Sequence, residues 1–487
     1  MRSQLKLNLL KLSYLAAATI LVTATTATVA TVATVAFDGD PSSSASAQEG
    51  PPLRDPPELV SNDGLLRVQL VVERRQVDLA GRKLWALTYN GQYMPPTLRF
   101  RPGDRLEMAL VNRLGMDTKL HMSTNMHTHG LHVSPSGNSD NVFLDIRPGE
   151  TFDYVYQFPE NEPSGTYWYH PHHDPIDGDQ VAGGMSGIIV VDGLKQYLPP
   201  DLRNITEHVI ALKDFQIEGD AIKTHNVSIS APTNRTVNGQ LNPTIRIRPG
   251  EVQLWRLANI STNIYYDVQL QGQQLTVIGH DGNPVGTTFA ADHLLLAAAN
   301  RFDVLVRGGP PGTTQLQTLA YNTGPVGNQF PQVNLATVVS EGPPMPPVAL
   351  PRTVRPFEDL SDATLAAQRT IVFSENATQT VYYVDGKVFD PNRVDIQVKL
   401  NTVEEWTILN TSDEEHSFHV HTNHYQLMSI NGQPHDYHGW QDTATLPAKG
   451  QIVLRTYFIN YTGKTVLHCH ILKHQDLGMM AVVEIFP

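Results

Sequence analysis

The chain contains the same block three times, and this repeat limits its fold more than any other feature. Tyr89-Asn90-Gly91-Gln92 precedes LRFRPGDRLEMALVN, Val237-Asn238-Gly239-Gln240 precedes IRIRPGEVQLWRLAN, and Val384-Asp385-Gly386-Lys387 precedes VDIQVKLNTVEEWTILN. The glycines stand 148 and 147 residues apart, and the blocks close on Asn112, Asn259 and Asn410. A period this long marks duplicated domains rather than small stacked units. Three tandem domains of about 150 residues suit a chain of 487.

Each domain reads as β. LRVQLVVE, DYVYQF, GIIVVD, RFDVLV and MAVVEIF are short apolar or alternating runs. Asn-Gly, Asp-Gly and Pro-Gly pairs separate them, and 35 Gly with 34 Pro favour turns over helix bundles. Antiparallel sandwiches are the simplest reading. The expected domains are 64–193, 201–340 and 359–487, with Pro-rich joints near 194–200 and along 342–356.

The first 47 residues differ from the rest. Arg2, Lys6 and Lys11 precede an uncharged stretch from Tyr14 to Phe37, and Ala45-Ser46-Ala47 follows. That is the layout of a secretory signal peptide, with an uncleaved N-terminal anchor as the alternative. Both readings export the body to a periplasmic or extracellular space. The net charge of −13 argues against nucleic-acid binding. One cysteine, Cys469, excludes internal disulfides and Cys-based zinc or iron–sulfur sites.

Fourteen of the 20 histidines fall within 121–132, 170–173, 416–424 and 468–474. Each window holds a His-x-His pair: His127/His129, His170/His172, His419/His421 and His468/His470. On a strand, residues two apart face the same side, so each pair aims two imidazoles into one cavity. Eight imidazoles suffice for a multinuclear metal site. His416, Cys469, His474 and Met479 remain, and two His, a thiolate and a weak Met ligand make a blue-copper set. If 468–470 is extended, Cys469 faces one centre while His468 and His470 face the other, a short covalent route for electrons.

In HTHG (127–130), HPH (170–172), HSFHVH (416–421) and HCHILKHQDLGM (468–479), the sequence resembles the three-domain multicopper oxidases, the laccase-like group. The resemblance covers about 64–487 and implies three tandem cupredoxin-like Greek-key β-sandwich domains. It implies four copper ions per chain. The type 1 copper would use His416, Cys469, His474 and axial Met479, and the type 2 copper His127 and His419. The type 3 pair would use His129, His170, His172, His421, His468 and His470. The trinuclear cluster would lie between the first and third domains, and the second, with YYDVQLQGQQ in place of a His-rich run, would carry no copper. The implied reaction is one-electron oxidation of a donor at type 1, coupled to four-electron reduction of O2 to water.

Two positions depart from the family pattern. Thr128 stands where Trp is usual, and Gln475 where bacterial relatives often have a Glu implicated in proton delivery. Asp476 is adjacent to Gln475 but would point elsewhere on a strand. Reduction of O2 consumes protons, so a carboxylate near the cluster is expected. Asp140 is the candidate by resemblance and Asp145 the runner-up. His121, His132, His173 and His424 read as supporting or surface residues, His435 and His438 as neighbours of the type 1 rim, and Asp442 as structural. His208, His225, His280 and His293 receive the plain structural reading.

The expected donor is a phenol or aromatic amine. The alternative is a metallo-oxidase of Fe(II), Mn(II) or Cu(I), and a non-catalytic copper-binding protein comes third. A monomer with a small-molecule or metal-ion donor and O2 is expected, membrane-bound only if the leader is retained.

Overall fold

The computed structural model describes residues 49–115, 122–225, 227, 232–435 and 439–487. The leader expected over 1–47, His121 and His438 lie outside these residues. Among the described residues, no helix is long and apolar enough to cross a membrane.

The protein is built of three cupredoxin-like β-sandwiches, each pairing a six-stranded with a five-stranded sheet. In the third, the six-stranded sheet runs 382–384, 365–375, 402–410, 451–458, 425–430, 433–434. The five-stranded sheet runs 396–399, 480–486, 463–469, 416–420, 443–446. The second sandwich repeats this order through 207–340. The first uses 58–191 and gains a hairpin, Ile217–Glu218 and Ala221–Ile222, at one sheet edge through a parallel bridge of Ala221 to Trp85. Alternating burial along Arg105–Asn112, Thr402–Asn410 and Gln451–Phe458 shows why these runs are strands, with one face apolar core and the other polar.

The sandwiches are mixed, not purely antiparallel as the local pattern suggested. In each, the strand before the repeated block lies parallel to the strand inside it: Leu65–Val72 with Arg105–Asn112, Glu207–Leu212 with Leu254–Asn259, and Leu365–Phe373 with Val403–Asn410. Between them the chain crosses to the other sheet and returns, and hydrophobic alternation carries no record of strand direction.

The repeated block acts as a brace. Asn90, Asn238 and Asp385 adopt φ of 51°, 52° and 51°. Their side-chain oxygens accept the N–H groups of Val71, Ala211 and Val372 at 2.7, 2.9 and 2.8 Å. The left-handed region suits Asn and Asp, whose short polar side chains bond locally. The closing asparagines are buried and clamp loops by their amides. Asn259 Nδ2 donates to the carbonyls of Ile264, Leu296 and Ala297, and its Oδ1 accepts from Ser261. Asn112 and Asn410 do the same with two carbonyls each.

The replacement Asn259→Ala strands three buried carbonyls and is expected to cost on the order of 2–4 kcal/mol. Urea denaturation of the variant should show the loss as an earlier unfolding midpoint, and an unchanged midpoint would refute the bracing role.

Candidate metal centre

Four strand ends build the site. We label them β1 (His127–His129), β2 (Gly165–His170), β3 (His416–Val420) and β4 (Gly463–Cys469). β1 pairs antiparallel with β2, placing His127 opposite His170, and β3 pairs with β4, placing His419 opposite His468. The two sandwiches face each other so that the rings of His127 and His421 stack at 3.9 Å, as do those of His129 and His419. His172 and His468 approach at 5.0 Å between ring centres. All eight paired histidines are buried.

Their outer nitrogens are held by the protein. His127 Nδ1 donates to Asp140 Oδ2 at 2.8 Å, His129 Nε2 to Asp442 Oδ1 at 3.0 Å, and His419 Nδ1 to the Asp442 carbonyl at 2.8 Å. His170 Nδ1 donates to the Pro171 carbonyl at 2.7 Å and His468 Nδ1 to that of Cys469 at 3.1 Å. The inner nitrogens have nothing to bind. His127 Nε2, His129 Nδ1, His170 Nε2, His419 Nε2 and both nitrogens of His470 lack a partner among the described residues. His468 Nε2 lies 3.3 Å from His172 Nε2 and 3.0 Å from His421 Nε2. Burial, with the neighbouring imidazoles, pushes His127, His129, His170, His421, His468 and His470 well below their usual range and His172 to about 3. Neutral imidazoles with lone pairs converging on one cavity, five of them fixed by the other nitrogen, are ligands oriented for metal ions.

A second cluster lies next to the first. Cys469 Sγ is 3.7 Å from both His416 Nδ1 and His474 Nδ1, and these nitrogens are 3.2 Å apart. Met479 is buried in the same core, its carbonyl accepting the N–H of Cys469 at 3.1 Å. Burial pushes the thiol up to about 12 and His416 down to about 3, so a cation must displace the thiol proton to bind. Two imidazoles and one thiol suit copper, as do the eight histidines.

The carboxylates separate into distinct environments. Asp140 is 4% exposed; its Oδ1 accepts the N–H and hydroxyl of Thr128 at 2.8 and 3.1 Å, and burial pushes it up to about 7. Thr128, where the family usually has Trp, thus adds a hydroxyl donor to this carboxylate. Asp145 lies at the surface, paired with Arg147 and His173. Gln475 donates to Asp177, whose Oδ2 is 3.5 Å from His172 Nδ1. Sequence reasoning missed Asp177, because its neighbour in space is 298 positions away in the chain. The segment Leu472–Asp476 is a helix, not the strand assumed for Asp476. Asp476 therefore turns back to accept the N–H groups of Asp177 and Gly178 at 3.2 and 2.9 Å. The reason is local: the chain must turn sharply to bring both Cys469 and His474 to one centre.

Arg301 was not singled out either. Fully buried, it donates to both oxygens of Asp442 at 2.8 and 2.6 Å and to the Thr166 carbonyl at 3.2 Å. Burial would raise Asp442, but Arg301 and His129 outweigh it and hold the carboxylate well below its usual range. Gly130 of HTHG, at φ +87°, lies against this pair, where a Cβ would collide with the guanidinium and the carboxylate. Of the other histidines, His132 donates to the Thr422 carbonyl and His424 to that of Gly130, both at 2.6 Å. His208, His225 and His293 pair with Asp55, Asp179 and Asp267, and His280 stacks on Phe302.

Comparison with known proteins agrees with this geometry. Three sequence profiles, each described as multicopper oxidase, match residues 71–196, 207–315 and 361–487. The multicopper oxidase mco of Staphylococcus haemolyticus is 27% identical over 414 residues, covering 82% of this chain and 83% of its own. The cell division protein FtsP of Escherichia coli is 25% identical over 450 residues, covering 86% and 88%. A multicopper oxidase from Campylobacter jejuni, described as a metallo-oxidase, superposes with a TM-score of 0.79 at 25% identity, covering 90% and 96%.

The variant Arg301→Met leaves Asp442 buried and unpaired. It is expected to lose about 3–5 kcal/mol of stability and to bind copper about 10–100-fold more weakly. Thermal melts and copper retained after dialysis measure the two effects. Unaltered retention would show that Asp442 does not need Arg301 to orient His129.

Proposed function

The chain belongs to the multicopper oxidase family, and on that premise we propose an exported, monomeric oxidase of laccase type that uses four copper ions. His416, Cys469, His474 and Met479 hold the type 1 ion, and His127 and His419 the type 2 ion. His129, His170, His172, His421, His468 and His470 hold the type 3 pair. The observation that carries the reading is the group of buried inner nitrogens that find no protein partner or meet only one another, beside the Cys469 cluster. Bound there, copper supplies one-electron chemistry, accepting electrons singly from a donor and passing four to O2.

The chain's residues do the rest. Cys469 lies between His468 and His470, so two peptide units join the two clusters. Asp140, near neutrality and bonded to His127, is placed to hold a proton beside the cluster. A 130 Å³ cavity lined by Phe143, Phe389, Val466, Met480 and His172 offers a small molecule an apolar approach to the type 3 side. At the type 1 side the Tyr382 ring stacks on His474 at 4.2 Å, and Lys473 and Leu477 line an adjoining cleft. The proposed donors are phenols and aromatic amines.

One observation favours a second reading, oxidation of Fe(II), Mn(II) or Cu(I). Glu414 Oε1 lies 3.5 Å from His474 Nε2, and its carboxyl is pushed up to about 8 by burial and by hydrogen bonding to Glu375. A metal ion could replace the shared proton of this pair.

Copper-loaded protein should consume O2 with a simple phenol and release no hydrogen peroxide. If it takes up no O2 while showing full copper and the blue thiolate absorption, the phenol reading fails, and Fe(II), Mn(II) and Cu(I) become the donors to assay. Cys469→Ser should remove both the blue absorption and the oxidation. Asp140→Asn should keep the blue absorption and lower kcat about 100-fold or more. Unchanged turnover in that variant would clear Asp140 of proton delivery.

A further inference from the structure

The first and third domains touch beside His172 through two short helices, Asp177–Ala182 and Leu472–Asp476. Gln475 Nε2 donates to Asp177 Oδ2, and the N–H groups of Asp177 and Gly178 donate to the two carboxylate oxygens of Asp476 at 3.2 and 2.9 Å. The approach leaves no room for a side chain at Gly178, where a Cβ would stand 2.8 Å from Asp476 Oδ2 and 3.6 Å from the Leu472 side chain. Asp177 and Gln475 are both 0% exposed. Gln475 Oε1 has no partner among the described residues, so the amide is spent on Asp177.

Asn125 fixes the backbone of His172 from both sides: its Oδ1 accepts the His172 N–H at 2.6 Å and its Nδ2 donates to the His172 carbonyl at 2.9 Å. The ring needs a hold of its own. Its bond to its own carbonyl ties it to no other residue. Its Nε2 faces His468 Nε2 at 3.3 Å, and its Nδ1 lies 3.5 Å from Asp177 Oδ2. An acceptor beside Nδ1 favours the tautomer with the proton there, which leaves the Nε2 lone pair to an ion. Asp140 and Asp442 hold His127 and His129 in the same manner, each by one ring nitrogen. Asp177 is placed in turn by Gln475, and its carboxyl also accepts the N–H of His173. A Glu at 475 would bring a second carboxyl against Asp177, where the amide brings a donor. The departure from the family pattern at Gln475 thus complements this chain's Asp177.

We propose that Asp177 and Gln475 form a clamp across the domain boundary that positions His172 for copper, with Asp177 as the positioning residue and Gln475 as its support. The proposal rests on the assignment of His172 to the type 3 pair. Loss of the clamp reaches that pair through His172 and spares the type 1 ion, whose proposed ligands all lie in the third domain.

The test is copper equilibrium against a chelator, read by bound copper per chain, by the blue thiolate absorption and by the near-ultraviolet band of the coupled type 3 pair. Asp177→Ala should bind the type 3 ions about 10–100-fold more weakly and lose the near-ultraviolet band, with the blue absorption kept. Asp177→Asn, which retains an acceptor oxygen of the same reach, should restore most of the band. Gln475→Leu should weaken the same ions by a smaller factor. The double variant Asp177→Ala with Gln475→Leu should be no weaker than Asp177→Ala alone, as expected of two residues that act as one unit. Gln475→Leu carries the test if Asp177→Ala does not fold. The proposal is overturned if Asp177→Ala keeps the band at parental copper affinity, or if Asp177→Asn is as weak as Asp177→Ala. It is also overturned if the band and the blue absorption fall together, as a general loosening of the domains would make them, or if the losses of the two single variants add. His172→Ala separates the two readings: a band retained in that variant refutes His172 as a ligand, whereas a band lost there and kept in Asp177→Ala refutes the clamp alone.

Discussion

The buried ion pair of Arg301 and Asp442 joins three domains at one point. Arg301 comes from the second domain, reaches the Thr166 carbonyl of the first and grips Asp442 of the third in a fork. Asp442 in turn holds His129 of the first domain through Oδ1 and His419 of its own through its carbonyl. Asp281 completes the arrangement, accepting the N–H groups of Arg301, Asp442 and Thr443. A charge pair without solvent is stable only when its remaining hydrogen-bonding capacity is met, and here the groups that meet it are the histidines of the metal site and the backbones that carry them. The second domain, which among the described residues adds no side chain to either histidine cluster, therefore fixes where those of the others stand.

The site conflicts with folding in the absence of metal. Ten buried imidazoles and a thiol, several with nitrogens facing one another, gain nothing from burial alone. The outer contacts to Asp140, Asp442 and backbone carbonyls orient the rings at modest cost. The unmet inner nitrogens leave a residual cost that only a cation removes, which couples metal affinity to the stability of the interface between the first and third domains.

The carboxylates beside the cluster come from distant parts of the chain. Gln475 cannot carry a proton, yet its amide binds Asp177, and Asp177 sits beside His172. Asp476, on the next turn, caps the backbone that presents Asp177. The acid beside His172 thus comes from the first domain, and the amide that binds it from the third. A second carboxylate, Asp140, holds His127 with help from Thr128.

Periodicity and spacing already determined much of this. Asn90, Asn238 and Asp385 revealed the threefold repeat because a tight turn needs the same chemistry wherever it recurs. The His-x-His pairs revealed converging imidazoles because a strand alternates every two residues, and Cys469 between His468 and His470 revealed two adjoining centres for the same reason. These are local rules, and a sequence records them. The parallel pairing inside each sandwich, the Arg301–Asp442 link and the Asp177–Gln475 contact were decided only by tertiary structure. Each joins residues tens to hundreds of positions apart, and what pairs them is the packing of whole sandwiches and the demand that buried charges and amides find partners, which no short-range pattern encodes.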